Sequence, residues 1–204
     1  VNSDTSQSRP DADTLHAAAN GHFPWFDDLP IPLDAVKLGQ GAELHPQCRP
    51  LAPLLGVWRG KGLAQYPSLL GEFPYGQQIS FSHDGRPFLV YEARAWLLSP
   101  TGKVLRPAAR EVGWWRMDED ETIELVLAHM FGICEIYYGG STGETSWELQ
   151  ADVVARTDSA RETTAAARLY GIVGDGDLAY VEERALRGLP MKPHLSAQLT
   201  RIAG

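Results

Sequence analysis

The residues of this 204-residue sequence that could hold a metal or move a proton are six histidines, two cysteines and a surplus of carboxylates. His194 stands alone in "LPMKPHLSAQL" (189–199), directly behind Pro193. Its imidazole has two readings: a partly exposed residue opening the last strand, or a ligand whose second nitrogen is oriented by a carbonyl or water. In strand register it shares a face with Ser196, Gln198 and Thr200, so a ligand role requires a polar interior, a local helix or a bulge. His83 and His129 fall at turn signals and read as turn residues. His16, His22 and His45 lie in or near the N-terminal arm and lack partners at metal spacing. No Ser-His-Asp elbow, zinc spacing or dinucleotide fingerprint occurs. Glu182 and Glu183 point to opposite faces of a strand, which excludes a glycosidase-like pair.

These residues need a frame, and from residue 56 onward the sequence supplies strands. "QQISFSH" alternates and runs into Asp84-Gly85, a hairpin signature. "PFLVYEARAWLL", "REVGWWRM", "TIELVLAH", "ICEIYYG", "TSWELQADVVA", "ETTAAARLYGIV", "LAYVEERAL" and "HLSAQLTRI" follow, separated by short turns such as "DEDE" and "GDGD". With the Trp58 stretch this makes about ten strands and no long helix. The expected fold is all-β, an antiparallel up-and-down barrel, which leaves no edge and has room for one ligand. An immunoglobulin-type sandwich would show fewer strands and a buried cross-sheet pair. "GVWRGKG" is not a phosphate loop, since Gly62 stands where Ser or Thr belongs. It suits an entry strand: Gly56, Gly60 and Gly62 permit close backbone approach, and Trp58 plugs the closed end.

Upstream, residues 1–22 read as a flexible arm and 23–49 as an extended aromatic and proline-rich segment, with the barrel over 50–204. A short helix fits within 41–56, limited by Pro50 and Pro53. The net charge of −8 argues against a nucleic-acid binder and, mildly, against an anionic membrane surface. No run is long enough to span a bilayer and no export signal is visible, so a cytoplasmic address is expected and Cys48 and Cys134 read as reduced.

"LLGVWRGKG", "YPS", "GRPFLVYEARAW", "REVGWWR", "ELVLAH", "GICEIYYG" and "PHLSAQL" together resemble the nitrobindin family in order and spacing, over roughly residues 50–202. That resemblance implies a ten-stranded barrel binding haem b, one per subunit, with ferric iron on a C-terminal histidine. It also implies nitric oxide binding and isomerisation of peroxynitrite to nitrate. His194 falls at the axial position. Ser68 and Arg161 fall where members line the haem rim, where an arginine can pair with a propionate. Three positions depart from the pattern. Ala108 and Ala109 stand where members often carry a bulky apolar residue and a histidine, which enlarges the distal side. Arg184 replaces a common methionine and, if buried, needs Glu183, Glu111 or an anion as partner. Two further readings stand beside the haem enzyme. One is a non-enzymatic carrier of a fatty acid or similar apolar anion anchored on Arg184; the other is a homodimer scaffold using the aromatic arm.

Overall fold

The computed structural model of the protein describes residues 34–65, 71–186 and 188–204. Ser68, the arm expected over 1–22 and residues 23–33 of the segment expected over 23–49 lie outside the described residues. Ten strands follow one another: β1 (Gly56–Gln65), β2 (Glu72–Ser82), β3 (Phe88–Leu98), β4 (Val104–Met117), β5 (Ile123–His129), β6 (Ile133–Gly143), β7 (Ser146–Arg156), β8 (Thr163–Val173), β9 (Asp177–Leu186) and β10 (Lys192–Ala203). Each pairs antiparallel with its sequence neighbours, and β10 closes on β1, giving the expected up-and-down barrel. The short helix is present as a 3₁₀ helix, Pro46–Leu54, and His45 caps its start by accepting from the Gln47 amide. Prolines at 50 and 53 remove amide donors, which a 3₁₀ segment tolerates better than a longer α-helix. No helix among the described residues is long and apolar enough to cross a membrane.

Closure depends on the glycines of β1. A Cβ on Gly60 would sit 2.1 Å from the Gln198 carbonyl oxygen and 2.9 Å from the Leu199 Cα; one on Gly62 would meet the Ser196 oxygen at 2.1 Å. The close approach anticipated for "GVWRGKG" is therefore the approach of β10. Trp58 is fully buried, donates from Nε1 to the Leu54 carbonyl at 2.8 Å, and lies under the Arg201 guanidinium. We expect Gly60→Ala to lower the urea unfolding free energy by roughly 1–3 kcal/mol, because backbone and not a flexible side chain must move. A variant as stable as the parent would show that the seam relaxes freely.

The two ends of the barrel differ. At the end where the helix sits, the interior is packed solid by Trp58, Phe81, Leu89, Trp115, Ile123, Trp147, Tyr170 and Leu199, with Cys48, Leu51 and Leu54 from the helix. Aromatic rings meet edge to face from Tyr91 through Phe81 and Trp115 to Tyr170, at centroid distances of 5.1–5.6 Å. The other end is open. Of the cysteines, Cys48 is buried and Cys134 exposed, and both are unbridged.

Candidate functional site: a cavity above a charged floor

The open end holds a cavity of about 600 Å³, within the range typical of small-molecule sites. Phe73, Leu97, Phe131, Ile133 and Leu186 give it apolar walls, and Ala108, Ala109, Arg161, Arg184 and His194 all line it.

His194 reaches the cavity because β10 is irregular. Pro193 pairs with Glu183 and Leu195 with Glu182, so His194 is an extra residue between them, a β-bulge. Regular alternation would have sent it outward with Ser196; the bulge re-aims it. Its Nδ1 lies 3.0 Å from the Gln65 carbonyl oxygen on β1. A carbonyl only accepts, so Nδ1 carries the proton and the lone pair is on Nε2. Burial lowers the imidazole pKa below its ordinary value, which keeps the ring neutral. A neutral imidazole oriented through its second nitrogen is the form that binds iron.

Below the cavity lies a plate of charge that sequence reasoning missed. Arg168 bonds Glu111 through both terminal nitrogens, at 3.0 Å each, and lies 2.6 Å from Glu182. Arg184 bonds Glu135 at 2.7 and 3.2 Å and donates from Nε to Glu182. The partners suggested for Arg184 need correction: Glu183 faces away from the interior side that carries Glu182, and Glu111 is engaged by Arg168 and His129. His129 is not a turn residue. It ends β5 inside the barrel, with Nδ1 3.2 Å from Glu111 and Nε2 2.7 Å from Glu135. His83 is also no simple turn residue: it is 1% exposed at the end of β2, bridging Ala35 through the backbone. Tyr137 donates to Glu135 at 2.6 Å and Tyr91 to Glu111 at 3.1 Å.

The floor balances only if His129 is charged: Glu111, Glu135 and Glu182 face Arg168, Arg184 and an imidazolium. Both ring nitrogens meet carboxylates, so both must donate. Burial opposes the charge, but Glu111 and Glu135 overcome it and raise the His129 pKa to about 9. Burial likewise opposes ionised Glu135, yet His129 and Arg184 draw its pKa down to about 2. The signs set a stability window. The raised histidine stabilises the fold fully below about pH 6.5, and this contribution is lost as pH rises through about 9, on the order of 3 kcal/mol. The depressed carboxylate stabilises above about pH 4.5, and this is lost as pH falls through about 2. Urea midpoints should therefore fall between pH 6.5 and 9.5 in the parent but stay flat in His129→Gln; parallel curves would remove His129 as the titrating group.

Among the described residues no group of three or more His, Cys, Asp or Glu is arranged to hold a metal ion. A group bound at His194 that brings its own metal donors would suit this lining. A flat macrocycle is such a group, and the neutral imidazole, the apolar walls and the cavity volume fit haem.

The comparisons with known proteins identify the family. The family model described as THAP4-like, heme-binding beta-barrel domain matches residues 47–201, and the chain belongs to that family. The Ferric nitrobindin-like protein of Saccharopolyspora erythraea is 51% identical over 184 residues, spanning 90% of this chain and 86% of that protein. Peroxynitrite isomerase 1 of Mycobacterium marinum is 44% identical across 100% of both chains. The crystal structure of Rv2717c from M. tuberculosis superposes with a TM-score of 0.68 at 36% identity, covering 78% of this chain and 99% of that one. The resemblance drawn from the motifs is thus borne out at the level of family and fold.

Proposed function

We propose that this protein is a peroxynitrite isomerase that binds one haem b in the open-end cavity, with His194 as the axial ligand. The observation that carries the reading is the bulged His194, lining the cavity with Nδ1–H bonded to the Gln65 carbonyl. The names of the relatives support the activity. When bound, ferric haem supplies the Lewis-acid chemistry that turns peroxynitrite into nitrate, and it also offers a site for nitric oxide.

The chain's own part is to bind, orient and enclose. His194 supplies a neutral nitrogen whose direction is fixed from β1. The small Ala108 and Ala109 leave room for a ligand on the β4 wall. The apolar walls would restrict water around the bound group. The charged floor seals the cavity from the packed core, so the container is confined to one end.

A fatty-acid carrier is the weaker reading for two reasons. Its anchor, Arg184, is already bonded to Glu135 and Glu182. The lower barrel, which would have to accept an acyl chain, is filled by buried Trp58, Trp115 and Trp147. Stopped-flow decay of peroxynitrite tests the choice. The haem-loaded chain should accelerate decay and raise nitrate yield over the haem-free chain; equal rates, with a fatty acid recovered from the purified protein, would reverse it.

A further inference from the structure

Five charged residues line the cavity: Arg106, Glu111, His129, Arg161 and Arg184. Glu111, His129 and Arg184 belong to the floor, whose charges balance among themselves. The other two are both arginines, both exposed, in a chain of net charge −8. Arg106 has no counterpart in the motif reading, and ordinary strand alternation does not lead to it. Glu111 and Ala109 face inward on β4, so a regular strand would continue inward through Pro107 and Leu105. Instead Ala95 pairs with Ala109 and Trp96 with Pro107, leaving Ala108 as an extra residue. This second bulge inverts the phase, and Ala108 and Arg106 line the cavity beside Leu97, the cross-strand partner of Arg106. One bulge therefore delivers His194 and another delivers Arg106 to the same cavity.

We propose that Arg106 is a carboxylate anchor at the cavity mouth, paired in function with Arg161, and that the two select a ligand bearing two carboxylates over one bearing none or one. The inference rests on the haem reading and deepens it: haem b carries two propionates. Arg106 sits on β4 and Arg161 in the β7–β8 connection, with β5 and β6 between them, so they flank the mouth from separate points. The only hydrogen bond of the Arg106 side chain among the described residues is Nη1 to the Pro107 carbonyl at 3.3 Å. That leaves most of its five N–H donors for a carboxylate. The position is exposed, so the effect is modest and salt-dependent.

The test uses the full chain and metal-free protoporphyrin IX, the diacid, against its dimethyl ester, with binding followed by fluorescence. The parent should prefer the diacid by about tenfold at low salt, and 0.5 M salt should erase most of that preference. Arg106→Ala should weaken the diacid about fivefold and leave the ester unchanged; the double variant with Arg161→Ala should no longer tell them apart. Equal losses for diacid and ester would assign Arg106 a packing role and overturn the proposal, as would an unchanged diacid affinity. If the parent binds neither these porphyrins nor ferric haem, the haem reading itself fails, an outcome distinct from binding without discrimination.

Discussion

Arg168→Met is expected to destabilise the fold by about 3–5 kcal/mol, the cost of breaking a buried ion pair from one side. Arg168 is 2% exposed and spans Glu111 and Glu182, with further bonds to the Tyr137 and Tyr170 hydroxyls. Methionine fills much of the same space but leaves two carboxylates facing each other with one guanidinium fewer. Such a loss in a chain this long should lower the melting temperature by roughly 10 °C. Differential scanning calorimetry at pH 6.5, where His129 is charged, gives the cleanest reading. A loss under about 1 kcal/mol would mean that the carboxylates find water or protonate at little cost, and the floor would then not be a cooperative unit.

The floor shows where sequence reading succeeded and where it stopped. Alternation in "QQISFSH" and "ICEIYYG" and the turn residues between runs were enough to give ten strands and closure, because each strand buries one face and each connection is short. The same alternation carried an unused signal: Glu135 lies in phase with Ile133 and Tyr137, and Arg168 with Ala166 and Tyr170, all interior positions. Charged residues at inward phase on several strands imply a paired network, although their pairing depends on which strands oppose across the barrel. His129 stands next to a hairpin, which suggests a turn residue, but its phase after Leu125 and Leu127 points it inward. Alternation gives no sign of the bulge at Ala108, and at His194 it leaves a bulge as one of three ways to turn the ring inward. A bulge arises from a mismatch with the neighbouring strand, so it is a property of the pair and not of either segment.

His194→Gly is the second large effect. With the axial nitrogen gone, haem affinity should fall at least 100-fold, since the remaining contacts are apolar packing and mouth charges. Stability should change little, because His194 is only partly buried at the open end of the barrel. Added imidazole should restore binding by entering the space the side chain leaves. Restoration would separate loss of ligation from collapse of the cavity; a variant that binds haem as well as the parent would move the iron ligand elsewhere.

The most direct measurement is the resonance Raman spectrum of the haem-loaded chain after reduction to the ferrous state, where an iron–imidazole stretching band reports axial histidine. The band is predicted in the parent and predicted to vanish in His194→Gly, returning at a shifted position with added imidazole. A parent without the band, or a variant that keeps it, would contradict the assignment of His194 as the residue that holds the iron.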